Sequence, residues 1–285
     1  MNFLWQSKPF AQKLMDAWPR GLQANRMPKP NVIRPGQSLR SGPVVLYGIQ
    51  PETFPHWLQC RQQGRDFYYI DNAYLSPGHN DDSYVRITKN ALQCTGYGES
   101  DLVRLAAHEV EIKDWREPTL EKATGGARKI LITCQSGWWY IQHGTTLNDW
   151  VNRVIDEIRE YTTRPIKIRL KPRADYEKPP NVQLCNDITA PDDEVPFEED
   201  LTEAFCVVTH SSNTAVEAIL AGVPAFVLGQ SAAQPFACND LKLIEAPFLL
   251  FGDRWEWAGV LADNQWTLKE IREGKAWADL QRIGS

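Results

Sequence analysis

Residues 207 to 227 constrain the fold more than any other part of the chain. The apolar residues up to Val208 predict a buried strand, a polar turn follows, and a helical spacing of apolar residues leads to a second strand, Ala225 to Val227. This order is typical of a parallel α/β unit, in which helices cross between neighbouring strands. The helix is predicted to begin in a run of small polar residues: Ser211, Ser212, Asn213 and Thr214.

That polar turn is a candidate anion site. Backbone N–H groups at a helix start lack intrahelical partners and the helix dipole favours negative charge, so main chain and hydroxyls can hold a phosphate together. Glu217 lies one helical turn beyond Asn213, where its carboxylate can accept hydrogen bonds from sugar hydroxyls. The alternative is an ordinary N-capped helix in an α/β core.

Polar turns follow three predicted strands in the second half of the chain, at 129 to 134, 166 to 170 and 204 to 208. In a parallel sheet the carboxyl ends of such strands share one edge, where ligands of open α/β sheets bind. We therefore expect one site to collect the groups that follow them: Gln135, Ser136 and Gly137; Lys171 and Arg173; and His210, Ser211 and Ser212. Lys171 and Arg173 would neutralise a diphosphate; the alternative for them is a surface turn.

Two histidines belong to the same prediction. His143, which precedes Gly144, is a candidate phosphate or sugar contact. His210 either binds the same ligand or packs beneath the polar turn. We do not expect His210 and Ser211 to form a hydrolytic pair, because adjacent side chains rarely face each other productively.

The first half of the chain repeats the alternation of strand and helix. Strands are predicted at 44 to 48, 67 to 70 and 84 to 88, with a helix at 52 to 63. Asp71 follows the second strand directly. A carboxylate at the carboxyl end of a strand, facing a cleft, can deprotonate an acceptor hydroxyl. The alternative is an Asx turn in which Asp71 and Asn72 only end the strand.

Residues 19 to 43 are the most basic region and are rich in Pro and Gly. They predict an irregular arm that is either a solvated loop or a contact for a nucleic-acid acceptor. The candidate acceptor contacts are Arg20, Arg26, Arg34 and Arg40.

An acidic run occupies 192 to 194 and 198 to 200. It predicts a solvated face that leads into a helix N-terminus, with metal binding as the alternative.

Bulk properties narrow the class of protein. A formal net charge of −5 over 285 residues argues against generic binding of polyanions, although it permits a local basic surface. Six scattered cysteines suggest neither a disulfide framework nor a zinc site. No apolar run reaches the roughly 18 residues of a membrane span, so we expect a cytoplasmic protein.

The run from Thr209 to Ala225 resembles the donor-binding segment of GT-B-type glycosyltransferases related to capsular polysaccharide synthesis enzymes. This resemblance implies that Ser211, Ser212 and Thr214 face the phosphates of a nucleotide-sugar and that Glu217 faces the ribose. Residues 261 to 277 and the stretch from Tyr68 to Tyr74 resemble phage glycosyltransferases, some of which modify DNA bases.

The resemblance implies an α/β fold with two Rossmann-like domains and an interdomain cleft. We expect an acceptor domain at 1–125, a donor domain at 126–250, and a C-terminal helical segment at 251–285 that packs back toward the first domain.

The predicted reaction is transfer of a sugar, hexosyl or related, with inversion and with Asp71 as the base. The donor is a nucleotide-sugar, UDP-linked by preference, and no metal or other cofactor is required. The expected acceptor is a hydroxymethylated pyrimidine in double-stranded phage DNA, inside the host cytoplasm. The alternatives are a surface saccharide as acceptor, or a non-catalytic nucleotide- or DNA-binding protein; a monomer or a dimer fits either.

Overall fold

The computed structural model describes residues 1–78, 80–100, 102–116, 128–171, 187–189, 195–246 and 252–283. The chain divides into two compact units. One comprises Met1–Cys94, Ser100–His108 and Gly259–Ser285, and the other comprises Thr95–Glu99 and Glu109–Ala258. Each unit is built around one β-sheet with helices packed on it, so the predicted α/β class with two Rossmann-like units is confirmed.

The described residues form twelve strands in two sheets of six. In chain order the strands are β1 (Asn2–Leu4), β2 (Asn31–Ile33), β3 (Val44–Tyr47), β4 (Phe67–Asn72), β5 (Tyr84–Lys89), β6 (Lys129–Thr133), β7 (Ile166–Arg169), β8 (Asp187–Thr189), β9 (Ala204–Thr209), β10 (Ala225–Val227), β11 (Ala237–Cys238) and β12 (Gln265–Thr267).

The α-helices of the described residues are, in chain order, α1 (Pro9–Ala24), α2 (Phe54–Gln63), α3 (Gly137–Gln142), α4 (Leu147–Arg159), α5 (Phe197–Glu203), α6 (Thr214–Leu220), α7 (Arg254–Asp263), α8 (Leu268–Glu273) and α9 (Lys275–Ile283). Short 3-10 turns occur at Leu105–His108, Gln234–Phe236 and Leu241–Leu243.

The sheet of the first unit has the order β12-β5-β4-β3-β1-β2. Strands β1 to β4 are parallel, whereas β5 and β12 join antiparallel. The carboxyl ends of β1 to β4 therefore lie along one edge. Asp71 is part of β4 rather than the start of a turn, because its backbone is paired with Arg86 of β5.

The sheet of the second unit has the order β11-β10-β9-β6-β7-β8, and all of its described pairs are parallel. Strand β9 is buried throughout, as a strand covered on both faces must be. Helix α4 carries its apolar residues at helical spacing, and Val151, Val154, Ile155 and Ile158 are all buried. The hydroxyl of Thr146 caps this helix by accepting the N–H of Asp149 at 3.1 Å.

The prediction of an irregular arm at 19 to 43 is wrong in part. Helix α1 runs through Pro19 to Ala24, and β2 lies within the same region. Gly21 indicates the reason: a Cβ there would lie 2.0 Å from the carbonyl oxygen of Ile271 in α8. The glycine permits close contact between two helices, and the sequence alone does not distinguish that role from a turn.

The C-terminal segment at 251–285, predicted as helical, contains a strand besides its helices. Strand β12 pairs with β5, and its Trp266 is fully buried. Thr267 then forms a capping box with Glu270 at the start of α8. A strand of three residues is too short to show a periodic pattern. The domain boundaries near 125 and 250 stay predictions, since residues 117–127 and 247–251 lie outside the described residues.

The acidic run is not simply a solvated face. Residues 192 to 194 lie outside the described residues, but Asp200 is buried in α5 and pairs with Lys167 at 2.7 Å and with Arg169 at 2.5 Å. These two cations compensate the cost of burying the carboxylate. Among the described residues no three His, Cys, Asp or Glu side chains gather as a metal site requires.

None of the helices in the described ranges combines the length and the apolar character that crossing a membrane requires.

Candidate functional site

The turn after β9 is tied to the turn after β6. In the amide orientation that pairs donors with acceptors, the side-chain oxygen of Gln135 accepts the backbone N–H groups of Ser211 at 3.2 Å and Ser212 at 2.9 Å. Strands β6 and β9 are parallel neighbours, which brings both turns to one edge. Two successive N–H groups thus point at a single oxygen, which is the geometry of a small backbone nest for an anion.

A second set of hydrogen bonds makes this polar turn rigid. The hydroxyls of Thr133 and Thr214 lie 2.6 Å apart, and the Thr209 hydroxyl donates to the carbonyl oxygen of Thr133 at 2.9 Å. Asn213 occupies the N-cap position of α6, but its side chain makes no capping bond. The hydroxyl of Ser212 accepts the N–H of Thr214 at 3.4 Å instead, so the N-capped helix stays an alternative to the anion site.

The turn after β6 leads directly into a helix. The carbonyl oxygen of Ser136 accepts the N–H of Trp139 at 2.9 Å, and α3 begins at Gly137. Gln135 is tied to this helix as well, because its backbone N–H donates to the hydroxyl of Tyr140 at 3.1 Å. The three predicted residues of this turn therefore have ordered positions beside the turn after β9.

His210 is partly buried at the start of the polar turn, between Trp139 and Gly229. Its ring lies 4.3 Å from the ring of Trp139, and a Cβ on Gly229 would lie 2.1 Å from it. Burial, and then the charges of His143 and Arg153, lower the pKa of His210 to about 4. The imidazole is therefore neutral at pH 7. Contrary to expectation, it faces its neighbour: Nδ1 lies 3.2 Å from the Ser211 hydroxyl.

His143 is exposed and stacks on Trp139 with ring centroids 4.1 Å apart. Its Nδ1 lies 2.8 Å from the carbonyl oxygen of Trp139, which can only accept, so Nδ1 carries the proton and donates. The ring of Trp139 thus contacts the rings of both His143 and His210. Sequence reasoning missed it, because the dipeptide Trp138-Trp139 reads as core packing.

Glu217 is partly buried one turn into α6. Burial raises its pKa to about 7, with a further upward contribution from Glu198 and an opposing one from Arg169. The carboxyl group is therefore part protonated at neutral pH, and in that form it can donate as well as accept a hydrogen bond. Perturbed carboxyl groups of this kind are enriched at functional sites.

The predicted cations are less well placed than the polar turn. Lys171 follows β7, a parallel neighbour of β6, and its side chain is exposed at the same edge of the sheet. Arg173 lies outside the described residues. Arg169, one residue before the end of the predicted strand, is engaged with Asp200.

In the first unit, Asp71 belongs to a cluster of aromatic and charged residues. Its Oδ2 accepts the hydroxyl of Tyr69 at 2.6 Å and pairs with the Arg86 guanidinium at 2.9 Å. The Asp71 side chain is 30% exposed, whereas that of Arg86 is 4% exposed. The adjacent positive charge stabilises the ionised carboxylate, which is the form that can accept a proton.

The four predicted acceptor arginines separate in the structure. Arg20 is on α1 and pairs with Asp16 at 2.9 Å. Arg40 donates to the Asn31 side chain at 3.0 Å, and Arg26 follows α1 at a positive φ of 58°. Arg34 follows β2 and lies over the ring of Trp5, 5.6 Å from its centroid.

Trp5 and Arg34 follow β1 and β2, so they lie along the edge of the sheet that also carries Asp71. Strand spacing places β1 two strands, or about 10 Å, from β4. Of the four arginines, Arg34 is thus the one at the edge expected to bind an acceptor.

No protein-family model matches the chain. No curated protein matches it either.

Solved structures do match. The chain is similar to the beta Kdo 2,7 transferase of KpsC from Thermosulfurimonas dismutans, with 12% identity, a TM-score of 0.54 and 99% of each chain covered. It aligns with the beta Kdo 2,4 transferase of the same protein at 11% identity and a TM-score of 0.43, over 92% of this chain and 97% of the other. The first of these likenesses shows that the chain shares the fold of the matched structure, in agreement with the predicted fold class of two Rossmann-like units.

Proposed function

We propose that this protein is a glycosyltransferase that moves a sugar from a nucleotide-sugar donor to a hydroxyl acceptor. The fold supports the proposal, because the matched KpsC structure carries the name of a transferase of the sugar Kdo. The observation that carries it is the pair of N–H groups, on Ser211 and Ser212, aimed at one oxygen of Gln135. A phosphate oxygen of the donor would take the place of the amide oxygen.

Donor binding would use the rest of the polar turn. The hydroxyls of Ser211, Ser212 and Thr214 can donate to the other phosphate oxygens, and Glu217 can exchange hydrogen bonds with ribose hydroxyls. Lys171 would bring positive charge to the leaving diphosphate. His210 would not supply charge, since its low pKa keeps it neutral.

The proposed chemistry is a single displacement. Asp71 accepts the proton of the acceptor hydroxyl while the acceptor oxygen bonds to the anomeric carbon. The bond from that carbon to the phosphate oxygen breaks, and the nucleoside diphosphate leaves with its electron pair. One displacement inverts the anomeric centre. Ionised Asp71 suits the role, because a base must be unprotonated when the acceptor arrives.

The proposed acceptor is a hydroxymethylated pyrimidine in DNA. Support comes from Arg34 and Trp5, a cation that lies over an aromatic ring at the sheet edge that carries Asp71. Such a pair can bind a phosphate and stack on a base. A surface saccharide remains the competing acceptor, and it would use the aromatic ring more than the cation.

Nucleotide release tests these proposals. UDP-, GDP- and CMP-sugars are supplied with and without DNA that contains 5-hydroxymethyluracil or 5-hydroxymethylcytosine. Release that depends on the modified DNA, with the sugar found on the base, supports both donor and acceptor. Transfer that does not depend on DNA but proceeds with a saccharide shows that the acceptor is a saccharide. Donor binding without turnover on either acceptor supports the non-catalytic alternative.

A further inference from the structure

A buried cation lies directly behind Asp71. Arg86 faces it across the β4-β5 ladder, and its guanidinium reaches both the carboxylate and the carbonyl oxygen of Asn72, the latter at 3.1 Å. The same guanidinium lies over the rings of Tyr69 and Tyr74, 5.8 Å and 4.9 Å from their centroids. Burying an arginine is costly unless its charge is paired. These contacts supply that compensation and hold the Arg86 guanidinium in place.

Tyr69 reaches the same carboxylate oxygen from its own strand. Residues two apart on a strand share a face, which allows the Tyr69 hydroxyl to donate to Asp71 Oδ2 at 2.6 Å. Burial, reinforced by the charge of Asp71, raises the pKa of Tyr69, so the phenol keeps its proton. Asp71 Oδ2 therefore receives one neutral and one charged donor.

We propose that Arg86 and Tyr69 are positioning residues that fix the plane of the Asp71 carboxylate and keep it ionised for proton transfer. The inference rests on the proposed function, in which Asp71 is the base. Two donors on one oxygen prevent rotation of the carboxylate about χ2. A base held in one orientation reaches the acceptor hydroxyl without losing rotational freedom in the transition state.

A merely structural ion pair would predict something different. Weakening such a pair lowers the free energy of unfolding and leaves the pH dependence of turnover unchanged. Removing a hydrogen-bond donor from a catalytic carboxylate also makes protonation easier. The two roles are therefore separated by the acidic limb of the pH profile of kcat.

The decisive variant is Tyr69→Phe, with Tyr68→Phe as the matched control. Tyr68 is the preceding residue of β4, and its hydroxyl accepts the side-chain amide of Gln281 at 3.2 Å on the opposite face. Each variant loses one hydroxyl and one hydrogen bond. We expect Tyr69→Phe to lower kcat about tenfold and to move its acidic limb to higher pH, with KM for the nucleotide-sugar unchanged. Tyr68→Phe keeps the native profile.

The outcomes are distinguishable. Identical pH profiles for the two variants, with Asp71→Asn inactive, overturn the positioning role and leave the proposed function intact. Full activity of Asp71→Asn overturns the base and its positioning residues together but not sugar transfer. No transfer by the native protein overturns both proposals. Arg86→Lys keeps the charge but loses the planar fork, so it should move the acidic limb in the same direction by a smaller amount.

Discussion

The imidazole of His210 packs directly against the Cα of Gly229. A Cβ on that glycine would lie 2.1 Å from the ring, closer than any real contact allows. Trp139 covers the ring at 4.3 Å, so the histidine is held between a backbone and an indole. The polar turn begins one residue later, at Ser211, so the packing of His210 helps to position it.

Gly229→Ala should therefore destabilise the second unit. The added methyl group forces either the ring or the strand end to move, which costs roughly 1–3 kcal/mol in the free energy of unfolding. A double-mutant cycle with His210→Ala, followed by urea unfolding, checks the cause. Gly229→Ala should lower the free energy of unfolding much less in the His210→Ala background than in the native protein. Equal costs in both backgrounds would contradict the contact as the reason.

Protonation of the buried His108 should destabilise the folded protein as the pH falls. Burial, and then the charge of Arg104, lower the pKa of His108 to about 4, from 6.5 in the unfolded chain. The unfolded state thus takes up the proton first, so the contribution of His108 to stability is complete above pH 6.5 and is lost as the pH falls toward 4. The slope is about 1.4 kcal/mol per pH unit for one such group. Urea unfolding between pH 4.5 and 7.5 measures the slope of the free energy of unfolding against pH. His108→Gln should reduce that slope. An unchanged slope in the variant would rule out His108 as its source.

The architecture was largely predictable from the sequence, and the site only in part. Long apolar strands and the helical spacing of α4 follow from local periodicity, which folding preserves. The link from Gln135 to Ser211 could be expected because parallel strands end together. Gly21 and Gly229 could not be interpreted, since a glycine used for close packing and a glycine used for a turn look alike. Arg86 was missed because only the antiparallel register brings it to Asp71.

Glu217 should make stability depend on pH in the opposite sense to the histidines. Its folded-state pKa is raised to about 7 from an ordinary 4.5, chiefly by burial. Its contribution is therefore complete below pH 4.5 and is lost as the pH rises through 7. Glu217→Gln should remove that loss and be relatively more stable at pH 8 than at pH 4.5. Glu199→Gln, on an exposed residue of α5, is the control, and the same response from both variants would refute the assignment.

Arg34 should contribute one phosphate contact if DNA is the acceptor. Each phosphate neutralised by a cation adds about 0.9 to the slope of log affinity against log salt. Arg34→Ala should lower that slope by about this amount, as measured by DNA binding between 50 and 200 mM salt. Arg20→Ala should change it little, because Arg20 is already paired with Asp16. Equal slopes for the native protein and Arg34→Ala would remove Arg34 from the acceptor surface.

Gln135 offers the most direct test of the donor site, because its amide oxygen accepts the two N–H groups proposed for a phosphate. Gln135→Glu would put a carboxylate there, which binds the N–H groups more strongly than an amide and repels the incoming anion. Titration calorimetry should show at least tenfold weaker binding of the nucleotide-sugar. Gln135→Ala leaves the N–H groups available to the phosphate, so its affinity should stay within a few-fold of the native value. If the two variants bind the donor equally well, the phosphate does not occupy this position.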